Sequence, residues 1–126
     1  MTHVCQPRKS SLLMIQHVRT RQVLATHAHQ ALSLLDRTVG LLGRTMLPQG
    51  EALIFPHCNS IHTFFMKFPI DVIFLRRNQV VKVLPHLPPF RLTWALQADT
   101  AIEFPAGTLN ASSCGPGEIL HIEHNH

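Results

Sequence analysis

The sequence predicts an α+β fold, in which one main helix packs against a strongly curved, mostly antiparallel, barrel-like sheet of about seven short strands. Only one segment, ALSLLDRTVGLLGR at residues 31–44, spaces its apolar residues three or four apart, as an amphipathic helix does. Short apolar runs separated by turn residues fill most of the remaining chain. Because nothing between these runs has a helical pattern that could serve as a crossover, a parallel α/β arrangement is not expected.

The predicted elements follow one another along the chain. The runs SLLMIQHV and RQVLATHA form a predicted hairpin that turns at RTRQ, and the helix comes next and ends near Gly40 and Gly43. After a loop at MLPQGEA, strands are predicted at ALIF, SIHTFF, IDVIFL and VVKVLP, the last two joined by the hairpin connection RRNQ. HLPPF is a proline-rich break, RLTWALQADT is ambiguous between strand and loop, and AIEFP and ILHIE are the remaining short strands.

Length and composition indicate a single globular domain. The chain has 126 residues, of which 45% are hydrophobic and 14% are charged. We assign residues 11–122 to one α+β domain, residues 1–10 to a flexible N-terminal tail and residues 123–126 to a C-terminal tail. No apolar run approaches the roughly 18 residues of a membrane-spanning helix, and the apolar core LLMI is too short for a secretory signal. We therefore predict a cytoplasmic protein without a membrane partner.

Charge and cysteine content narrow the choice of partners. Lys and Arg number 11 against 7 acidic residues, but they are scattered, and most of the phenylalanines lie inside apolar runs. Nucleic acid is therefore not an expected partner. The three cysteines are widely spaced, which argues against a disulfide framework and for a reducing compartment. We expect an unidentified small molecule or protein as the partner, and a monomer or weak homo-oligomer.

Several segments resemble, in order and spacing, the domain of unknown function 192 family. They are RTVGLLGR, LPQGEALIFP, SIHTFFMKFPIDVIFL, VVKV, AIEFPAGT and GPGEIL. The resemblance implies a small α+β fold with a curved, barrel-like sheet, and it lends no established activity. KFPID is shorter than the corresponding family segment, and LRRNQVV replaces an acidic, glycine-containing turn. The residues at the family's signature positions are Gly40, Leu41, Arg44, Phe65, Met66, Lys67, Asp71, Pro105, Ala106 and Gly107.

Asp71, in the apolar strand IDVIFL, is the first candidate site residue. Both faces of this strand are apolar, so the carboxylate is expected to be buried and must then be paired or hydrogen-bonded. Arg44, Lys67 or backbone N–H groups could serve as the partner. The structural interpretation is a carboxylate that fixes the loop containing Pro69, and the functional one is a perturbed carboxylate in a ligand pocket. A lone Asp without a second acid does not indicate hydrolase chemistry.

The histidines and cysteines offer a second candidate site. His57, Cys58 and His62, joined by Cys114, carry the imidazole and thiolate groups that zinc prefers, although their spacing matches no paired motif. The structural interpretation is a loop histidine, a small buried thiol and a strand histidine. Cys58 or Cys114 as a nucleophile would need a neighbouring base, and no histidine lies at a recognisable offset.

These observations favour binding over catalysis. We predict no catalytic residue and no cofactor, and a groove of the curved sheet that binds a small ligand or a protein partner. The residues predicted to line or support the groove are Phe65, Met66, Lys67, Asp71 and Arg44. One alternative is a metal-binding protein or metal-dependent hydrolase that uses zinc on the His/Cys set. The other alternative is a protein-interaction module without a ligand site.

Overall fold

Nine strands make up most of the described structure. The computed structural model describes residues 13–31, 46–64, 66–111 and 114–124. A short 3₁₀ helix, Thr108–Ala111, is the only helix among these residues. The strands in chain order are β1 (Leu13–His17), β2 (Val23–Gln30), β3 (Glu51–Pro56), β4 (Ser60–His62), β5 (Ile70–Arg76), β6 (Gln79–Leu87), β7 (Leu92–Trp94), β8 (Thr100–Pro105) and β9 (Leu120–His124).

Seven of the strands form one curled sheet in the order β6-β5-β8-β3-β2-β1-β9. Every neighbouring pair is antiparallel except β2 and β3, which run parallel. The two edges of the sheet meet at one end, where the Val80 N–H donates to the Glu118 carbonyl and the Gly117 N–H donates to the Val80 carbonyl, both at 2.8 Å. These contacts confirm the prediction of a strongly curved, mostly antiparallel, barrel-like sheet of about seven strands.

The prediction of an α+β fold with one main helix needs correction, because the described residues are mostly β and contain no α-helix. The segment predicted as that helix, residues 31–44, lies outside the described residues except for Ala31. The Ala31 N–H donates to the Ile54 carbonyl at 2.8 Å, so the sheet pairing of β2 continues to this point. An apolar spacing of three or four is weak evidence for a helix, because most helical stability in proteins comes from tertiary packing.

The hairpins follow from short turns with special backbone conformations. Between β5 and β6, Arg77 and Asn78 have φ values of 50° and 67°, as both central residues of a two-residue type I′ turn require. Asn tolerates this left-handed region, whereas Arg rarely adopts it. The Asp99 carboxylate accepts the Arg77 N–H at 2.8 Å, which helps to hold the turn. The hairpin predicted at RRNQ without a glycine is therefore confirmed.

The sheet has a hydrophobic cluster on each of its two faces. Alternate residues of β5 and β8, among them Ile73, Leu75 and Phe104, belong to the interior cluster inside the barrel. The residues between them, such as Val72 and Phe74, belong to the outer cluster on the opposite face. Because β5 is covered on both sides, its sequence is apolar at nearly every position instead of alternating.

The strands β4 and β7 pair with each other in a separate two-stranded sheet. The strand predicted at SIHTFF is therefore too long, since β4 ends at His62. Directly beyond its end, the Arg91 carbonyl accepts the Thr63 N–H at 2.9 Å, which is one further bond to the segment that precedes β7. The inward residues Ile61 and Thr93 are buried, so this small sheet covers part of the outer cluster with one face.

Candidate functional site

Asp71 lies wholly buried on the interior face of β5. Its Oδ1 accepts the backbone N–H of His86, and its Oδ2 accepts that of Leu109, each at 2.8 Å. Hydrogen bonds to an ionised acceptor are stronger than neutral ones. His86 has φ of 54°, in the left-handed region, so one of these bonds holds a strained bend in β6. Asp71 thus joins this bend to the 3₁₀ helix, with backbone groups as its partners.

Of the other residues predicted for the groove, the two that the structure describes do not lie beside the Asp71 carboxylate. Met66 is buried in the outer cluster, on the opposite face of the sheet, and the side chain of Lys67 is exposed. Arg44 and Phe65 lie outside the described residues. Ligand binding by these five residues therefore stays a prediction, and Asp71 contributes to the fold through the backbone.

An open groove of about 270 Å³ reaches Thr108, the first residue of the 3₁₀ helix, whose next residue, Leu109, donates its N–H to Asp71. Three segments meet there: the start of β2, the turn before β3 and the turn after β8. None of its lining residues carries a formal charge. The lining residues are Gln22, Val23, Leu24, Ala25, Thr26, Gln49, Gly50, Gly107 and Thr108.

Local backbone geometry fixes the shape of this groove. Gly50 has φ of 89°, and its carbonyl accepts the N–H groups of both Thr26 and His27 at 2.9 Å. A Cβ at Gly50 would lie 3.3 Å from Thr26 Oγ1, so glycine also gives this turn its close approach to β2. On the facing side the Thr108 hydroxyl donates to the Pro105 carbonyl at 2.7 Å and stabilises the turn through Gly107.

Glu103, on β8, is a buried acid that the sequence analysis missed. It faces the outer cluster, opposite to Ile102 and Phe104, and its register partners are Leu53 and Val72. Within the described part of the chain its carboxylate accepts no hydrogen bond, and burial raises its pKa to about 8. The available signal was the sequence around Glu103: Ile102 and Phe104 flank it and face the interior, while Ala101 shares its own face. Apolar residues on both faces indicate a strand that is buried on both sides.

A second charged cluster lies where β1 ends. The imidazole of His17 is fully buried, and its Nδ1 accepts the Thr20 N–H at 3.1 Å while its Nε2 lies 2.9 Å from Glu118 Oε1. The same carboxylate accepts a hydrogen bond from Arg19 Nε at 3.0 Å. That bond, with the positive charge of Arg19, lowers the pKa of Glu118. The cluster ties the β1–β2 turn to the segment that closes the barrel.

The structure separates the residues of the predicted zinc set. Cys114 packs in the interior cluster, whereas Cys58 packs against the outer cluster and its Sγ donates to the Ser60 carbonyl at 3.0 Å. His57 and His62 are exposed. Among the described residues no three His, Cys, Asp or Glu side chains converge in a way that could hold a metal ion. Nor is any helix of those residues long and apolar enough to cross a membrane.

Two solved structures resemble the whole fold. One is a protein of Sinorhizobium meliloti 1021 described as a candidate transcription regulator, with a TM-score of 0.72 and 15% identity over 86% of this chain and 90% of that one. The other is a protein of unknown function from Novosphingobium aromaticivorans DSM 12444, with a TM-score of 0.73 and 19% identity over 87% of this chain and 83% of that one. At these identities the likeness extends to the fold alone.

The sequence comparisons agree with the resemblance read from the motifs. No curated protein sequence matches the chain. The model of the domain of unknown function 192 family, described as Uncharacterized ACR, matches residues 15–122. This match spans β1 to β9 and includes the buried Asp71, the turn at Gly107 and Glu103. The chain therefore belongs to the domain of unknown function 192 family.

Proposed function

We propose that this protein is a binding domain for a small, neutral, polar molecule, which it takes in the groove between the start of β2 and the turn at Gly107. The observation that carries the proposal is the lining of the groove, where amide and hydroxyl side chains surround a small apolar patch and no side chain is charged. Ligand pockets commonly combine apolar walls with a few polar groups that orient the ligand. A sugar, a polyol or an amide-bearing molecule fits this chemistry.

The rigidity of the groove supports the same proposal. Two glycines with positive φ, Gly50 and Gly107, bring backbone close to the cavity, and Thr108 braces the turn that contains Gly107. Asp71 acts as a positioning residue, because its bond to the Leu109 N–H fixes the segment directly after Thr108. A preformed site loses less conformational entropy when it binds. This role is narrower than the predicted contact of Asp71 with ligand.

The experiment uses backbone amide NMR of the full chain with N-acetylglucosamine, glucose and glycerol as probes at millimolar concentration. Binding should shift the amide signals of Gly50, Gly107 and Thr26 in a saturable way for at least one probe. The variant Val23→Trp should abolish the shifts, because residue 23 is exposed at the groove and a larger ring fills it.

The matched control is Val18→Trp, which adds the same ring at an exposed strand-end valine that does not line the groove. It should bind as the unmodified protein does. Shifts that are absent for all three probes, or that persist unchanged in Val23→Trp, would contradict the proposal.

A further inference from the structure

A group of exposed apolar side chains lies on the two-stranded sheet and its adjoining turns. Its five large side chains are each between 40 and 75% exposed. A soluble domain seldom leaves so many large apolar groups together in water without a binding role. This group, called the β4–β7 surface below, consists of Phe64, Phe90, Leu92, Trp94 and Leu96.

The strand register places these side chains side by side. Trp94 pairs with Ser60, and Leu92 pairs with His62, so both apolar residues share the outward face of the sheet with two small or polar neighbours. The ring of Phe64 stacks on His62 with a centroid distance of 5.3 Å. The surface therefore extends over both strands and over the turn that follows β4.

The fold holds this surface in place at a conformational cost. Phe90 has φ of 64°, which is an outlier for a bulky side chain, and its ring is 65% exposed. The buried Thr63 stabilises the turn: its carbonyl accepts the Phe90 N–H at 3.1 Å, and its hydroxyl oxygen accepts the Arg91 N–H at 2.9 Å. Strain of this kind persists only where surrounding contacts enforce it and often marks a functional segment.

The charged side chains on the segments around the surface are mainly basic, and Asp99, which follows these segments, is half-buried and accepts the Arg77 N–H. Residues 57–98 contain five Lys or Arg side chains, and the only acid among them is Asp71, which is wholly buried. Two of the cations are anchored at the surface itself, because Lys82 Nζ donates to the Trp94 carbonyl at 2.8 Å and Arg76 donates to the Gln97 carbonyl at 3.2 Å. Arg91 is exposed between Phe90 and Leu92.

We propose that the β4–β7 surface docks the protein on an anionic lipid bilayer. Projecting aliphatic and aromatic side chains can enter the acyl boundary, Trp is suited to the interface, and basic groups around them attract anionic headgroups. The backbone groups of β4 and β7 bond to each other across the sheet. Nucleic acid is a poorer fit, because exposed leucines offer no stacking face for its bases. A protein partner would need shaped pockets for the projecting side chains, whereas a bilayer needs none.

Trp94 provides a direct probe, because it is the only tryptophan of the chain. Vesicles of phosphatidylcholine with 30% phosphatidylserine should shift its fluorescence to shorter wavelength, and the protein should sediment with them. Vesicles of phosphatidylcholine alone should bind at least about fivefold less, and added salt should weaken binding to the anionic vesicles. These measurements use the full chain.

Two pairs of variants separate the apolar and the charged contributions. Leu92→Ser with Leu96→Ser keeps the Trp94 probe and should weaken binding at least about tenfold. Val18→Ser with Ile119→Ser removes two exposed apolar side chains elsewhere and should leave binding unchanged. Arg91→Gln should weaken binding about fivefold, and Arg21→Gln, another exposed arginine, should have no effect.

Three outcomes would overturn the proposal. The first is no binding to either vesicle, or equal binding by all variants. The second is a concentration-dependent dimer on size exclusion that Leu92→Ser with Leu96→Ser converts to monomer without any vesicle binding, since the occupant would then be a second copy. The third is binding of single-stranded RNA that quenches Trp94 while the vesicles leave its emission unchanged.

Discussion

Asp71 and Glu103 lie on neighbouring strands of one sheet, and both are buried, yet their surroundings differ. Asp71 faces the interior of the barrel and accepts two backbone N–H groups. Glu103 faces the outer cluster, where the described residues give it no hydrogen-bond donor and burial raises its pKa to about 8. Burial of a carboxyl group is therefore compatible with two outcomes. The group is either satisfied by hydrogen bonds or, where it has none, its pKa rises.

The two environments indicate what each acid contributes to the protein. The bonds of Asp71 stabilise two segments far apart in sequence, the bend at His86 and the 3₁₀ helix at Leu109. Glu103 makes the outer face sensitive to pH in the neutral range. Below a pH of about 8 the folded protein holds it protonated, and above that value its charge is costly.

The largest loss of stability is expected for Asp71→Ala. The change removes two hydrogen bonds and leaves one buried and one part-buried N–H donor without their acceptor, which should lower the free energy of unfolding by about 3–5 kcal/mol. Chemical denaturation at pH 7 measures this loss. Asp99→Ala is the matched control, because Asp99 also accepts a backbone N–H but is only half-buried.

The control should cost no more than about 1.5 kcal/mol. If the two variants lose the same stability, the assignment of Asp71 as the stronger structural anchor is wrong. Should Asp71→Ala fail to fold, Asp71→Asn retains one acceptor oxygen and should show an intermediate loss.

Glu103→Gln should raise the free energy of unfolding, whereas Asp71→Ala lowers it, and the size of the increase should depend on pH. In the unfolded chain Glu103 has its ordinary pKa near 4.5, so between about pH 4.5 and 8 only the folded state binds the proton. The free energy of unfolding then falls by about 1 kcal/mol per pH unit across that window. Glutamine removes this dependence on pH. The free energy of unfolding of the variant should exceed that of the unmodified protein by a few kcal/mol at pH 8.5 and equal it near pH 4.5.

Denaturant unfolding at pH 5, 7 and 8.5 measures this divergence. Glu123→Gln, which neutralises an exposed carboxylate at the end of β9, should follow the unmodified protein at all three values. A Glu103→Gln variant that runs parallel to the unmodified protein would show that the Glu103 carboxyl is not protonated in the folded state.

The smallest expected effect is a difference in thiol reactivity between the two described cysteines, which lie on opposite sides of the sheet. Burial, together with the negative charge of Glu118, raises the pKa of Cys114 to about 11, so very little thiolate forms at pH 8. Cys58 is half-buried beside the outer cluster. With Cys5 replaced by Ser, the variant that retains only Cys58 should react with a disulfide reagent at least about tenfold faster than the one that retains only Cys114. Equal rates would place Cys114 in contact with solvent.

The strands were predicted well from the sequence, because burial of one or both faces of a strand sets its hydrophobic pattern. IDVIFL is apolar at every position except Asp71, since both faces of β5 are buried, and RRNQ lies between two apolar runs that pair as a hairpin. The predicted α+β class was not matched by the described residues. Local periodicity does not include the tertiary contacts on which a helix of that length depends.

The candidate site was less accessible to prediction. Burial of Asp71 was predicted, because an acid within an apolar strand must lie in the core. Its partners were not, since His86 and Leu109 lie 15 and 38 residues away and contribute only backbone groups, which no side-chain pattern reveals. Nothing in the sequence distinguished the exposed Trp94 and Leu96 from core residues, because exposure depends on what packs over them.

Hydrophobic pattern and turn chemistry are local properties of the chain, so the strand-rich fold, the family and the burial of Asp71 could be predicted from the residues. Three further features arise from the tertiary structure. It brought the start of β2, Gly50 and Gly107 together in one groove, placed Glu103 among apolar side chains, and left the β4–β7 surface in solvent. Each depends on contacts between residues distant in sequence, and such contacts form only when the sheet curls.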